Sequence, residues 1–479
     1  MTVPARRHII LGAMVRALGA YPSGWRYPGA HNNPLADTTV LRRTAKLAEA
    51  AHLDYLFFGD WLSTGPDLEV RDPYLLARID PLSAVTYLAA ITRRIGLIAT
   101  ANTTYSDPYT LARSTASIDA LSGGRAGLNL VTGAEPRAAG NHGRDSHWGD
   151  EHRFDQAEEF VGALRLLWDS WEDGAFVRNR ATGRLIDPAR LHPADFHGEH
   201  VHVAGALNVP RPVQGHLPVA HAGTSLCSRQ LAGSSADIAL VAVPTLAEAL
   251  QLSTDLRRQT VAAGRPADAL RIVSPVLPVV AETREQAWEI FDVLLSLVPL
   301  DDGSPASLAP DFPPGRGVRA LSQAVGVALG PQPVDAIVTR ALAARFSDLG
   351  QRLVELVAVR TGRRVGDADR PVTLRHLLAT HLVPTAAIVG DAGTVADHLQ
   401  HWFESGAVDG FNVLTAFHGE QFEAFTGLVV PELVRRGLFR TDYEGRTLRD
   451  HLGLDRPENL HVADAASKTG DVRPERLRA

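Results

Sequence analysis

The stretch Leu217-Pro218-Val219-Ala220-His221-Ala222-Gly223-Thr224-Ser225 passes from an apolar run into a glycine turn, and helical periodicity follows over residues 226–234. The sequence therefore predicts a buried strand, a tight turn and a helix that begins with a Ser225 cap. The first N–H groups of a helix have no partner within it. This arrangement is consequently typical of a site for an anion, usually a phosphate.

Similar apolar runs recur along the chain and alternate with helical patterns. The predicted strands are residues 8–14, 55–58, 95–101, 126–132, 218–221, 236–243, 272–280 and 410–414, and a further short apolar run, 387–390, precedes the last of them. The predicted helices between them are residues 38–52 behind an Asp37 cap, 82–93, 108–120, 155–171, 246–263 and 394–405. Such alternation indicates parallel strands joined by crossover helices. We therefore predict an α/β fold, a (β/α)8 TIM-type barrel whose eighth strand is residues 410–414.

The chain has 479 residues with 45% hydrophobic and 21% charged content, which fits one large core or two smaller ones. Its formal charge is only −6, and no basic stripe interleaved with aromatic residues predicts nucleic-acid binding. Neither a secretory signal nor a membrane span is recognisable, so we expect a cytoplasmic protein. The single cysteine, Cys227, excludes an internal disulfide and is either a buried filler or a reactive thiol.

The alternation is interrupted twice. Residues 172–215 are rich in Pro, Gly, His and Asp, and a second irregular stretch lies at 301–316. Long irregular stretches inside a compact protein are usually functional insertions. We therefore predict a single barrel domain over residues 1–455, with insertions at about 172–215 and 300–385, followed by a polar tail at 456–479.

Polar residues follow several of the predicted strands, and in such a barrel the chemistry gathers at the carboxyl ends of the strands. Asp60 is placed to bond a ring N–H or a ribityl hydroxyl, or simply to cap the next segment. Asn102, Thr103 and Thr104 end another strand and offer hydrogen bonds to a polar ring edge. His221 is either a catalytic proton donor or a satisfied core histidine. No spacing among the 19 histidines predicts a metal site.

Several longer motifs resemble one known family, the bacterial luciferase-like flavin monooxygenases, in the branch of nitrilotriacetate monooxygenase component A. The motifs are residues 53–60 (LDYLFFGD), 95–105 (IGLIATANTTY), 108–113 (PYTLAR), 117–126 (SIDALSGGRA), 167–172 (LWDSWE), 208–215 (NVPRPVQG), 222–225 (AGTS) and 435–441 (RRGLFRT). They occur in the family's order and span roughly residues 8–455.

The resemblance implies an enzyme that binds FMN in its reduced form, FMNH2, supplied by a separate NAD(P)H-dependent flavin reductase. With O2 as co-substrate, such an enzyme oxygenates a small organic molecule. By this resemblance Asp60 and Asn102 with Thr103 line the flavin, and Thr132 and Gly133 pass beside its ring. The turn of Gly223, Thr224 and Ser225 holds the 5′-phosphate. Family members are commonly homodimers or homotetramers.

Three positions depart from the family pattern. Gly133 replaces the usual Ser of a Val-Thr-Ser segment, and in the usual His-x-x-Arg-Tyr motif the His and Tyr positions are Asp150 and Phe154. The missing His and Tyr belong to the family's flavin-binding set, so Asp150 and Phe154 take their places in the expected site. A phenyl ring donates no hydrogen bond, and a carboxylate repels a phosphate. His147 or His152 is expected to substitute from an adjacent turn.

Two competing functions stay open at this point. Related barrels carry a deazaflavin coenzyme, and a reductase or dehydrogenase of that kind transfers hydride without consuming O2. The changes at Asp150 and Phe154 also allow a flavin-binding protein without catalysis. The substrate is not identifiable, and we expect the loop after Met14 and the stretches 172–215 and 301–316 to shape its pocket.

Overall fold

The computed structural model describes residues 8–462 except 306, 310, 311, 313, 314, 384 and 385. Eight of the nine strands in its main sheet form a closed parallel barrel, which confirms the predicted fold. These strands are β1 (Ile10–Met14), β2 (Tyr55–Phe58), β3 (Gly96–Asn102), β4 (Ala126–Val131), β5 (Val219–Ala222), β6 (Ile238–Leu240), β7 (Arg271–Val280) and β8 (Gly410–Leu414). The ninth strand, Ala387–Gly390, pairs with the second half of β7.

The main helices carry the numbers α1 to α12. They are α1 (Asp37–Ala50), α2 (Pro81–Ala89), α3 (Pro108–Ser122), α4 (Asp150–Trp168), α5 (Leu226–Ser235), α6 (Leu246–Ala262), α7 (Arg284–Ser296), α8 (Val318–Val325), α9 (Asp348–Thr361), α10 (Leu374–Leu382), α11 (Ala392–Glu404) and α12 (Leu448–Leu452). Shorter helical turns are Leu68–Arg71, Ala138–Asn141, Arg340–Ala343, Gln421–Ala424, Phe425–Val429 and Val430–Arg435. No helix in the described ranges is long and apolar enough to cross a membrane.

The starts of α1, α2, α4 and α11 differ from the prediction, those of α2 and α11 by only one and two residues. Asp37 is the first residue of α1 rather than its cap, and its buried carboxylate lies 3.0 Å from Nε2 of His31. Helix α4 begins at Asp150, five residues before the predicted start, because Asp150 and Glu151 suit the positive end of the helix dipole. The Ser225 cap of α5 is confirmed, since its side chain accepts from the N–H of Ser228. Cys227 is exposed, which excludes the buried-filler alternative.

The interior of the barrel is filled from several strands and closed at its amino-terminal end. Inward residues of the strands, such as Tyr55 and Ile98, form one cluster with Leu448 and Leu452 of α12. A Cβ at Gly12 would lie 2.0 Å from the Tyr55 ring, so only glycine leaves room for that ring. Helix α12 therefore closes the amino-terminal end of the barrel. The open end, where the carboxyl ends of the strands lie, is called the mouth.

A second core lies beside the barrel. Helices α7 to α10 pack with Leu277, Val279 and the strand Ala387–Gly390 in a cluster separate from the main barrel core. Its helices begin at Arg284, before the insertion predicted at about 300. Its links to the loop after β1 include a hydrogen bond of 2.6 Å from the Ser23 hydroxyl to the Leu294 carbonyl.

The stretch 172–215 leads from the end of α4 into β5 and so starts and ends at the amino-terminal end of the barrel. Between these points a hairpin, Phe196–His197 with His202–Val203, runs along the outside of α4. The Glu159 carboxylate of α4 accepts the N–H groups of Glu199, His200 and Val201 at 2.7–2.9 Å. The His200 ring lies 4.4 Å from the ring of His152, in the first turn of α4. The hairpin tip therefore approaches the barrel mouth from outside. The predicted polar tail lies outside the described residues from 463 onward.

Candidate active site

A cavity of about 240 Å³ lies at the mouth, where β2, β3, β4 and β5 end. It brings together four of the predicted site residues, Asp60, Asn102, Thr132 and Gly133. The remaining lining residues are Trp61, Leu62, Val131, Ala134, Glu135, Ala138 and Ala222. Residues from four consecutive strands meet here because parallel strands deliver their carboxyl ends to the same side of the barrel.

Asp60 lies directly after β2 and lines this cavity. One of its carboxylate oxygens accepts the N–H of Trp61 at 2.8 Å, so the local turn predicted as the alternative does form. Burial raises the pKa of Asp60, and the hydrogen bond from the Trp61 N–H and the nearby Arg78 guanidinium oppose that shift. The indole Nε1 of Trp61 is buried without a partner in the described residues. A hydrogen-bond donor and a carboxylate thus stand side by side at the cavity wall.

Gly133 is explained by its neighbour Asn102. The backbone at Gly133 has φ +68°, and a Cβ there would lie 2.3 Å from the Asn102 amide nitrogen. A serine at this position would be strained and would displace Asn102, whose Oδ1 accepts the N–H of Thr104 at 3.0 Å. Thr103 is buried beside the cavity but does not line it, and its N–H donates to the Val131 carbonyl at 2.9 Å. The departure at Gly133 therefore fits the position of Asn102.

Arg153 joins the ends of two elements at this site and was missed by the sequence analysis. Its side chain is 5% exposed, and Nη1 donates to the carbonyls of Thr132, at 3.2 Å, and Gly133. Nε donates to the Trp148 carbonyl at 3.1 Å, and Nη2 pairs with the Asp150 carboxylate. The predicted repulsion from Asp150 is thus offset by an adjacent guanidinium. Arg153 holds the turn after β4 against the first turn of α4.

Phe154 and His221 contact each other. Their rings are 6.2 Å apart and nearly perpendicular. His221 is 4% exposed, its Nδ1 donates to the Leu130 carbonyl at 2.8 Å, and its Nε2 is buried without a partner in the described residues. Burial lowers the pKa of His221, so its imidazole is neutral near pH 7. His221 does not line the cavity, because alternate strand residues face opposite ways and its neighbour Ala222 lines it.

The turn after β5 has the geometry that the sequence predicted. Gly223 has φ +152°, and a Cβ there would lie 2.4 Å from the Ser228 hydroxyl. The Ser225 hydroxyl donates to Ser228 Oγ at 3.0 Å and accepts the Ser228 N–H at 3.2 Å. Thr224 is exposed, and its carbonyl accepts from Arg229. The sequence analysis missed Ser228, although the residue three positions after a helix cap is the usual partner of the cap side chain.

An aromatic and cationic cluster covers the ends of β3 and β4. The Tyr105 ring stacks on His142 at 4.3 Å, and its hydroxyl lies 3.0 Å from Nδ1 of His147. The Arg144 guanidinium lies 3.6 Å from the ring centre of Trp148. Trp148 also contacts His152, at 4.2 Å. The imidazoles expected to substitute for the missing family histidine, His147 and His152, are therefore engaged in this cluster.

A larger cavity of about 440 Å³ lies between the loop after β1 and the second core. Trp25 and Arg26 of that loop and Glu69 and Val70 line one side. The other side comes from Ser296, Val298, Pro299, Leu300, Asp302, Ser304, Ser307, Ala309, Phe312 and Arg375. The loop after Met14 and the stretch 301–316 thus meet in one pocket, and no residue of 172–215 lines it. In the residues that the structure describes, no group of His, Cys, Asp and Glu is arranged to hold a metal ion.

Comparisons with known proteins support the motif resemblance. A family model described as luciferase-like monooxygenase matches residues 24–409. Nitrilotriacetate monooxygenase component A of Aminobacter aminovorans is 35% identical over 467 residues, which cover 95% of this chain and 98% of the relative. N-acetyl-S-(2-succino)cysteine monooxygenase of Bacillus subtilis is 34% identical over 465 residues, with coverages of 95% and 99%.

The fold comparison gives the same result. The solved structure of EDTA monooxygenase from Chelativorans sp. BNC1 superposes with a TM-score of 0.73 at 26% identity, covering 95% of this chain and all of that one. The matched residues include the turn after β5 and the ends of β2, β3 and β4. The chain therefore belongs to the luciferase-like monooxygenase family and is an enzyme.

Proposed function

We propose that this enzyme is the oxygenase component of a two-component, FMN-dependent monooxygenase. A separate NAD(P)H-dependent flavin reductase would supply FMNH2, and O2 would be the co-substrate. The observation that carries the proposal is the turn after β5, where Ser225, Ser228 and the first N–H groups of α5 converge beside the mouth cavity. The name of the Aminobacter relative, a component A, supports the partnership with a second protein.

The residues at the mouth fit FMN. Two hydroxyls and helix N–H groups suit a phosphate, and Gly223 keeps the backbone close to it. Asn102, the turn at Thr132–Gly133, and Asp60 beside the unpartnered Trp61 Nε1 offer donors and acceptors for a polar ring. When bound, reduced FMN supplies the electrons with which one atom of O2 enters the substrate and the other becomes water.

The chain's own contribution is binding, orientation and exclusion of water. Arg153 fixes the turn at Thr132 and Gly133, which would hold the flavin, and the apolar ring of Phe154 packs against His221. The cluster of Tyr105, Arg144 and Trp148 covers the same side of the mouth. The cavity of about 440 Å³ beside the loop after β1 is large enough for a small organic substrate.

The proposal is tested by anaerobic titration of the protein with FMNH2. The reduced complex is then mixed with O2 in the absence of substrate, and the uptake of O2 is measured. We expect saturable FMNH2 binding and flavin oxidation that depends on the protein. Absence of FMNH2 binding would contradict it. Selective binding of a reduced deazaflavin without O2 uptake would favour a reductase or dehydrogenase, and binding without any O2 reaction would favour a non-catalytic flavin protein.

Ser225→Ala and Ser228→Ala localise the phosphate. We expect each substitution to weaken FMNH2 binding about tenfold, because each removes a serine hydroxyl that would donate a hydrogen bond to the charged phosphate. Thr245→Ala is the matched control, since Thr245 caps the next helix, α6, by accepting the N–H of Glu248. It should cost similar helix stability, about 1 kcal/mol, without changing flavin binding. Equal effects of all three variants would assign Ser225 a capping role only.

Cytoplasmic location and a homodimeric or homotetrameric state stay predictions. Sedimentation of the purified enzyme in the presence and absence of FMN measures the oligomeric state.

A further inference from the structure

Arg78 reaches the barrel mouth from the segment that joins β2 to α2. Tyr55 and Phe57 of β2 face the barrel interior, and Gly59 lies two residues further along the same face. A Cβ at Gly59 would lie 3.4 Å from Nη1 of Arg78 and 2.8 Å from the end of the Met14 side chain. The guanidinium therefore occupies the space above the end of β2, on the inner side of the mouth.

This guanidinium has no acceptor in the part of the chain that the structure describes. Its Nε is buried without a partner, and its side chain makes no ion pair there. The guanidinium lies 5.3 Å from the centre of the Tyr74 ring. Asp72 does not serve as counter-ion, because it pairs with Arg16 at 2.6 Å. Asp60 is close enough to act electrostatically but forms no ion pair with Arg78.

Such a position is unfavourable for a cation. Burial lowers the pKa of Arg78 to about 10, and the adjacent Arg16 adds to that shift. Taking a charge out of water without pairing it costs free energy, and proteins keep such groups mostly where a ligand supplies the opposite charge. Arg125, which is 2% exposed and so more deeply buried than the partly buried Arg78, shows the contrast, because carbonyl oxygens and a hydroxyl surround its guanidinium.

We propose that Arg78 binds an anionic group of the organic substrate, so that the substrate of this enzyme is an organic anion such as a carboxylate or sulfonate. The inference rests on the proposed function for the existence of an organic substrate. Arg78 lies in the segment 59–80, which contributes residues to both cavities, although Arg78 itself lines neither. Asp60 of that segment lines the smaller cavity, and Pro66, Glu69 and Val70 line the larger one.

The flavin phosphate is not the anion, because the phosphate turn lies after β5 whereas Arg78 stands at the ends of β1 and β2. An anion at Arg78 would lie between the mouth cavity and the larger pocket. The substrate would then extend from the larger pocket, with its charged group directed by Arg78 toward the mouth.

Thermal unfolding of the full chain without ligands gives the first test. Arg78→Met should raise the unfolding midpoint by about 1–2 °C, since it removes an unpaired cation and keeps the apolar stem. Arg125→Met is the matched control and should lower the midpoint, because it leaves carbonyls without donors. A comparable loss of stability in both variants would make Arg78 a structural residue and overturn the proposal.

Bromide soaked into crystals of the full-length enzyme gives the second test. We expect an anomalous peak beside the Arg78 guanidinium in the wild type and no peak there in Arg78→Met. Peaks confined to exposed arginines such as Arg137 would be adventitious ions only and would overturn the site.

Titration with oxidised and reduced FMN distinguishes the source of the anion. Arg78→Met should bind both forms within twofold of the wild type. A tenfold loss for either form would assign the cation to the flavin and overturn the substrate assignment. If the wild type binds no FMN, the proposed function fails, but the unfolding and bromide results still decide whether Arg78 is an anion site.

Discussion

Arg125 is buried and Arg78 is partly buried, at opposite ends of the same barrel, and of the two only Arg125 is surrounded by acceptors in the described residues. At the amino-terminal end, Arg125 donates to the carbonyls of Ser122 and Ile95 and to the Thr92 hydroxyl at 2.7–2.8 Å. At the mouth, Arg78 lies beside Gly59 and the Tyr74 ring, and its Nε is buried without a partner in the described residues. The first arginine stabilises the fold, and the second is placed for a ligand.

Other polar groups follow the same division. At the amino-terminal end, Asp119 accepts from the Gln214 side chain at 2.7 Å, and Asp54 pairs with Arg440. At the mouth, Trp61 Nε1, His147 Nε2 and His221 Nε2 are buried without partners in the described residues. Buried polar atoms are normally paired, so those left unpaired at the mouth are candidates for contact with a ligand. Stability and function are thus separated along the barrel axis, as is usual in this fold.

Arg125→Met is the strongest test of this comparison. The substitution removes donors from four buried carbonyls, those of Ala89, Thr92, Ile95 and Ser122. We expect a loss of about 3 kcal/mol or more in the free energy of unfolding, measured in urea, because unpaired buried groups are costly. FMN affinity should stay within twofold of the wild type. A weakened affinity in the folded variant would show that the two ends are not independent.

His451 is an exception at the amino-terminal end and sharpens the comparison. It is 5% exposed, and both ring nitrogens are buried without partners in the described residues. Burial and the nearby Arg440 lower the pKa of His451 to about 4, from 6.5. The folded state therefore binds this proton less readily than the unfolded state. The stability associated with His451 is complete above pH 6.5 and is lost as the pH falls toward 4.

His451→Phe should remove that pH dependence. We expect the wild type to lose about 3 kcal/mol more than the variant between pH 7 and pH 4, from urea unfolding at each pH. Other buried histidines, among them His216 and His418, keep a residual slope in both proteins. His202→Phe, on the exposed hairpin, is the control and should behave as the wild type. Equal slopes in all three proteins would contradict the expected neutral state of His451.

Much of the barrel was predictable because its strands are short apolar runs between amphipathic helices. The strands Tyr55–Phe58 and Gly410–Leu414 have the predicted bounds. The start of α4 was not predictable in the same way, since residues 150–154 carry charge instead of apolar periodicity. The wrong Asp37 cap has a similar cause, because its carboxylate is bound by His31, six residues earlier, through the folded loop.

Only the site residues that lie just after a recognisable strand were predictable from the sequence. Asp60, Asn102 and Ser225 each follow an apolar run directly, so their position at the mouth follows from the fold. Arg153 contacts a turn twenty residues earlier, and Arg78 reaches Gly59 across a loop. Local periodicity contains no information on such contacts, which depend on how loops pack over the barrel. For the same reason, the sequence did not indicate the close approach of Gly133 to Asn102 or the ion pair of Asp150 with Arg153.

Arg153→Lys tests whether the mouth depends on held geometry. A lysine ammonium does not reproduce the planar set of bonds to Thr132, Gly133 and Trp148. We expect FMN affinity to fall about tenfold, measured by quenching of flavin fluorescence, with a shifted flavin absorbance spectrum. Arg165→Lys is the control, because Arg165 lies on the same helix and donates to the Ser235 carbonyl at 2.7 Å, far from the mouth. If Arg153→Lys binds FMN as tightly as the wild type does, Arg153 has a purely structural role.

Phe154→Tyr is expected to have the smallest effect and bears on the departures from the family pattern. It restores the family's tyrosine beside His221, whose Nε2 is buried without a partner in the described residues. We expect the added hydroxyl to donate to that nitrogen or to the flavin. We expect FMN to bind up to about threefold tighter, with stability changed by less than about 0.5 kcal/mol. Weaker binding would show that the apolar ring of Phe154, rather than a missing hydroxyl, is what this site requires.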